Sequence, residues 1–214
     1  MLEIDLVRHG ESFFNRVGKV QGHTNSPLTE LGREQARRVG EVLKIRRIET
    51  IYTSDLARAL ETAQIVGGVL GLEPVVLEGF REIALGQWEG RPIEEIRRED
   101  SKNLELWYSR PMEARIPGAE SLEDFRERVL GTFQGLLGRH REGRIALISH
   151  GGVLSVIISH VLGLNLNHLW HFRLNNASIS RVVYGYMVPK LVLLNDTCHM
   201  DGLESSSPSI WTRG

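Results

Sequence analysis

The sequence predicts an α/β fold, a sheet with helices on both faces, and two observations carry that prediction. Short apolar runs alternate along the chain with longer stretches of helical periodicity, the order expected when helices cross over between strands. One of those runs, RIALIS at 144–149, is apolar throughout, as a strand covered on both faces requires.

The elements can be placed in order. The first strand carries Leu2, Ile4 and Leu6 and stops at Arg8-His9-Gly10. Apolar positions 28, 31, 36, 39, 42 and 43 then mark a helix over 28–43, with Thr29 as its N-cap. A short strand at 49–54 leads into a helix at 55–71, which Gly71 is placed to end. A strand follows at 74–79. The interval 82–119, with Trp88, Trp107 and Tyr108, reads as an irregular excursion over the sheet. Ser121 and Asp124 have capping-box-like spacing at the start of a helix over 120–140. The strand at 144–149 ends in His150-Gly151-Gly152, and a helix is expected over 152–163. Two late strands are expected at 178–186 and 190–195. Residues 1–202 read as one domain and 203–214 as a flexible tail.

Composition narrows the function classes. The 214 residues are ample for a sizeable core, and 41% hydrophobic with 25% charged content is ordinary for a soluble globular protein. A net charge of −1 gives no electrostatic footprint for nucleic acid or for an anionic membrane. The single cysteine, Cys198, excludes an internal disulfide, and the first residues lack the basic region of a signal peptide. No apolar stretch has the length to span a bilayer. A cytoplasmic protein, monomer or homodimer, without nucleic-acid or membrane partners is expected.

The two His-Gly strand ends carry the chemistry. In open α/β sheets, ligands bind beyond the carboxyl ends of the strands, where His9 and His150 both fall. Glycine after each lets the backbone turn sharply and a ligand approach closely. The helix starting near Gly151 offers N–H groups that favour an anion. Arg58 lies in the first turn of the helix after the strand at 49–54. Arg8 and Arg58 around two imidazoles make a cationic pocket suited to a phosphoryl group, because guanidinium meets phosphate oxygens in bidentate fashion. Each residue also has a plainer reading. Arg58 can pair with Glu61 on a solvated face, and Asn15 can be a turn residue. Pattern alone does not choose Glu82 over Glu78 or Glu89.

LVRHGESFFN, QGHTNSPLTELGREQA, SDLARALETA, REIALGQWEG, PGAES and SHGG, in that order, resemble the histidine phosphatase superfamily in its phosphoglycerate mutase-like branch. NASIS and LNDTCH resemble its late strands. The resemblance implies a three-layer α/β/α sandwich with a mostly parallel sheet. It implies a phosphomonoesterase of a small phosphorylated metabolite, acting through a phosphohistidine and without metal or cofactor. His9 would be the nucleophile and Glu82 the proton donor. Arg8, Arg58 and His150 would hold the phosphoryl group, with Asn15, Gln21, Gly22 and Gly151 around it. Neighbouring arginines favour the neutral imidazole that such an attack needs.

Three positions depart from the common pattern. Asn25 stands where the family often has Asp, Phe14 where Trp is frequent, and Ser155 where Arg is common. They bear on the substrate, whose leaving group is expected to be walled by Phe13, Phe14 and the 88–115 segment. A phosphoglycerate mutase is the alternative, and a non-catalytic phosphate-binding module a further one. A nucleotide P-loop fails on spacing, since Gly10 and Gly18-Lys19 are too far apart and Val20 follows. Adjacent Cys198 and His199 make poor metal-ligand spacing and read as structural.

Overall fold

The structure is a computed structural model and describes residues 1–185 and 187–203. The tail expected to be flexible lies, from residue 204 onward, outside the described residues. Six strands form one sheet: β1 (Leu2–Arg8), β2 (Thr50–Thr53), β3 (Val75–Val76), β4 (Gly143–Ser149), β5 (Ile179–Tyr184) and β6 (Lys190–Asp196). Their spatial order is β3-β2-β4-β1-β5-β6. β1, β2, β3 and β4 run parallel, and β5 pairs antiparallel with β1 on one side and β6 on the other.

Alternation along the central strands builds the two outer layers. Ile4, Leu6, Ile145 and Leu147 face one side, where they join Phe125, Phe133, Val153 and Ile157. Those partners come from α6 (Leu122–Arg139) and α7 (Gly151–Leu162). Val7, Ala146 and Ile148 face the other side and meet Val39, Leu43, Ala63 and Val66. These belong to α2 (Glu30–Ile45) and α3 (Ala57–Leu70). The three-layer sandwich follows.

Caps fall where the sequence places them. Thr29 accepts from Gly32 N at the start of α2, and Ser121 accepts from Asp124 N at the start of α6. Gly71 ends α3 in the left-handed conformation, with φ of 72°. Three regions differ from expectation. The strand at 74–79 shrinks to Val75–Val76 on the sheet edge. A short helix, α1 (Phe13–Val17), opens shortly after the first histidine, capped by Ser12 and Asn15 reciprocally. The interval read as irregular contains two helices, α4 (Ile93–Glu99) and α5 (Ser101–Ser109). Each is so short that its period does not stand out in sequence. They are held by burial of Ile96, Leu104 and Trp107 and by a Trp88 Nε1 bond to Asp100. Among the described residues no helix is long and apolar enough to cross a membrane.

Candidate active site

Both His-Gly junctions lie side by side because β1 and β4 are parallel neighbours, with Arg8 opposite Ser149. The His9 and His150 ring centroids stand 5.4 Å apart. Gly10 lets the turn after His9 press against α2: a Cβ there would sit 2.4 Å from the Gly32 carbonyl oxygen.

Hydrogen bonds fix the state of His9. Its Nδ1 lies 2.7 Å from the Gly10 carbonyl, which can only accept, so Nδ1 carries the proton. The lone pair is then on Nε2, which takes a long 3.3 Å bond from Arg58 Nε. Burial first, then Arg58 and Arg8, hold the imidazole well below its usual pKa. His150 is lowered in the same way, by burial and then by Arg58, His9 and Arg8. Its Nε2 bonds to Ser54 Oγ at 2.7 Å.

Arg8 and Arg58 are buried, and burial lowers each pKa to about 10, against the opposing pull of Glu82. Both therefore stay charged at neutral pH. Arg58 donates to the Gly22 and Thr24 carbonyls at 2.9 and 3.3 Å. The surface reading of Arg58 fails, since Glu61 pairs with Arg33 instead. Arg8 Nη1 donates to the Leu174 carbonyl, while Arg8 Nε and His150 Nδ1 are buried without a partner among the described residues. Buried polar atoms left unpaired are costly, and a polar ligand in the site would account for them.

A recess of about 40 Å³ is lined by Arg8, His9, Asn15, Gln21, Gly22, Arg58 and Glu82, with Lys19 and Trp170 at its edge. A second cavity of about 260 Å³ adjoins it across Arg8, Glu82 and Trp170, and Gly151 lines this one. Glu82 thus stands at the junction. Its Oε2 accepts from Gly152 N in the first turn of α7 at 3.1 Å, where a Cβ on Gly152 would clash with the carboxylate. One N–H of the α7 terminus that the sequence offers to an anion is taken by this carboxylate. Glu78 is exposed and pairs with Arg81. The Glu89 carboxylate is consumed in tying His23, Thr24 and Leu85 together. Of the three acids, Glu82 alone lines both the recess and the larger cavity.

The wall of the larger cavity differs from expectation. Trp170 to Leu174, Tyr108 and Ser155 line it, whereas Phe13 and Phe14 do not. Those two rings lie instead under the cations of Arg16 and Lys19. Of the 88–115 segment, only Tyr108 reaches this cavity, and Trp107 the recess.

Sequence reading misses several supports. Thr62 Oγ1 accepts from Gly10 N and donates to the Arg58 carbonyl. Asn176 Nδ2 spans the His9 and Gly10 carbonyls and Asn15 Oδ1 at 3.1 to 3.3 Å. Because β5 is antiparallel, its entry and not its exit lies at the edge where β1 and β4 end. The polar run before that strand was the available signal. His199, expected to be structural, donates to the Ala177 carbonyl behind this loop. Among the described residues no three His, Cys, Asp or Glu side chains gather as a metal-holding group.

Comparisons with known proteins find relatives over nearly the whole chain. The family model described as histidine phosphatase superfamily (branch 1) matches residues 4–197. A Hydrogenobacter thermophilus protein, provisionally named phosphoserine phosphatase 2, is 32% identical over 93% of this chain and 98% of its own length. GpmB of Yersinia pestis, named as a probable phosphoglycerate mutase, is 34% identical over 94% of this chain and 96% of its own. The solved phosphoserine phosphatase variant of Entamoeba histolytica, in complex with phosphoserine, is 29% identical with a TM-score of 0.83. It covers 94% of this chain and all (100%) of that one.

Proposed function

The chain belongs to the histidine phosphatase superfamily, and from that premise we propose that it hydrolyses small phosphomonoesters through a phosphohistidine at His9. The observation that carries this reading is the state of His9. It is a buried, neutral imidazole with its proton fixed on Nδ1 and its Nε2 lone pair turned to Arg58.

In the proposed reaction the phosphoryl group enters the 40 Å³ recess, and Nε2 of His9 attacks phosphorus as the ester P–O bond breaks. Arg8, Arg58 and His150 take up charge spread over the equatorial oxygens, so turnover is proposed to need no divalent ion. Asn15, Gln21, Gly22 and Gly151 shape the surroundings of that group. Glu82, between recess and cavity, gives its proton to the leaving oxygen. Water then attacks the phosphohistidine, Glu82 accepts its proton, and inorganic phosphate leaves. Splitting the displacement in two lowers the barrier of each step.

The decisive experiment varies the leaving group. An alkyl phosphate expels a basic alkoxide that needs the proton, while a nitrophenyl phosphate expels an already stable phenolate. Glu82→Gln is predicted to lower kcat/KM for the alkyl ester by about 10²–10⁴-fold and for the nitrophenyl ester far less. Equal losses would remove Glu82 from the role. The same assay in excess EDTA is expected to show undiminished phosphate release; loss restored by a divalent ion would overturn metal independence.

The mutase reading is favoured by the name of GpmB and shares every step up to the phosphohistidine. The two part at the acceptor. Phosphate release without isomerisation of phosphoglycerate marks the hydrolase.

A further inference from the structure

The 260 Å³ cavity has aromatic rings along part of its wall and carries two arginines, Arg8 and Arg173, with Glu82 where it meets the recess. Tyr108, Trp170 and Phe172 give it apolar faces, and Arg173 stands among them. Arg173 is exposed, yet its position is set: Nε donates to Asn175 Oδ1 at 2.5 Å, and Asn175 N donates to Asn195 Oδ1 at 2.6 Å. The side chain is thereby tied to the end of β6. Among the described residues its two Nη groups donate to no protein acceptor, and no carboxylate pairs with it. Arg33, Arg46, Arg81 and Arg128, by contrast, each hold an acid. Arg173 is also close enough to Arg8 for its charge to lower the Arg8 pKa further. Two guanidiniums against one carboxylate, Glu82, leave the cavity wall short of negative charge, and Arg8 is already committed to the phosphoryl group, so Arg173 is the cation left for a second anion.

Resting on the phosphatase reading above, we propose that this cavity is a subsite for a leaving group bearing a carboxylate, which Arg173 receives through its two Nη groups. The anion could in principle be a carboxylate or a second phosphate. The carboxylate is favoured for two reasons. A single guanidinium fork matches its two oxygens and its one charge. The aromatic walls supply no further cation for a dianion, and they cover the carbon chain between the two charged ends.

Binding of phosphonates tests this without turnover. Propylphosphonate, 4-phosphonobutyrate and propane-1,3-bisphosphonate share the phosphoryl end and differ at the far end. On the wild-type protein, calorimetry is expected to show 4-phosphonobutyrate binding about 10- to 100-fold tighter than propylphosphonate, the usual worth of charge-assisted hydrogen bonds. In Arg173→Gln that advantage is expected to vanish. Hydrolysis follows the same ratio: kcat/KM for phosphoserine relative to glycerol phosphate should fall by a like factor in the variant. No carboxylate advantage on the wild type, or one that survives Arg173→Gln, overturns the proposal. A larger gain from the bisphosphonate overturns the choice of carboxylate. Failure of the wild type to release phosphate from any ester would strike the phosphatase reading instead, and the binding series would still decide the subsite.

Discussion

Burying His9 and His150 beside Arg8 and Arg58 holds both imidazoles well below their usual pKa, burial being the larger cause in each. That links folding to pH. The unfolded chain takes up these protons as pH falls through about 6.5, while the folded chain refuses them. Stability is therefore full above that value and is lost as pH drops below it, by up to about 1.4 kcal/mol per pH unit for each histidine. His199, also lowered chiefly by burial, adds in the same direction. The carboxylates that bonding partners lower, Glu3, Asp55 and Asp196, act in a more acid window. Urea unfolding is thus predicted to give a lower free energy at pH 5.5 than at 7.5, and the His9→Gln/His150→Gln double variant should show a shallower slope. A wild-type stability flat over that range would mean the imidazoles are not held neutral. At this scale the sequence is legible where chemistry sits on a strand end. His9, Arg8 and His150 stand out because each ends an apolar run. Glu82 does not, since what separates it from Glu78 and Glu89 is contact with Gly152 across the fold.

Among the elements, the entry to β5 shows why part of the site stays hidden in sequence. The strand-end rule looks for function after each parallel strand, and it finds β1, β2 and β4. β5 runs the other way, so the loop before it is the one that reaches His9. Ala177 N bonds to the carbonyls of Arg8 and His9, and Asn176 clasps the His9 and Gly10 carbonyls. Nothing local marks that direction; it comes from pairing with β1. The helices at 93–109 do not show in the sequence for a related reason, since they are stabilised by packing Ile93, Ile96, Leu104 and Trp107 into the core cluster with Trp88 and Leu85 and not by their own periodicity. Asn176→Ala removes a donor from three acceptors around the candidate nucleophile. Each acceptor keeps another donor, Ala177 N, His9 Nδ1 or Ser12, so the variant is predicted to cost about 0.5–1.5 kcal/mol of stability, the net worth of a hydrogen bond. The rate of phosphoenzyme formation in rapid-quench experiments should also fall. A variant as stable and as fast as wild type would show that Ala177 alone positions the loop.

Across the whole molecule, the site and a main stabilising network sit apart along β1. Asp5 lies four residues before His9, about 13 Å away in an extended strand. It is completely buried, and Arg181, directly opposite on β5, donates to it at 2.7 Å. Arg46, at the end of α2, reaches it at 3.3 Å and also pairs with Glu3. One carboxylate therefore pins a helix end and an antiparallel strand to the centre of the sheet. Removing it strands the Arg181 guanidinium and leaves Arg46 with Glu3 alone. Both keep some exposure, 18% and 23% of their side chains, so the cost falls at the low end for a broken buried pair, about 3 kcal/mol. In a chain of this size that corresponds to roughly 6–12 °C in Tm. Asp5→Ala is predicted to lower Tm by that amount while kcat/KM for a phosphomonoester stays within about twofold at 25 °C. The reasoning is geometric: Arg8, His9 and Gly10 are held by Ser149, Ser178, Thr62 and Asn176, none of which touches Asp5. A drop in kcat/KM that accompanies the loss of Tm would show instead that the Asp5 pairs set the register of β1 against β5. The imidazole would then owe its place to charges on the far side of the sheet.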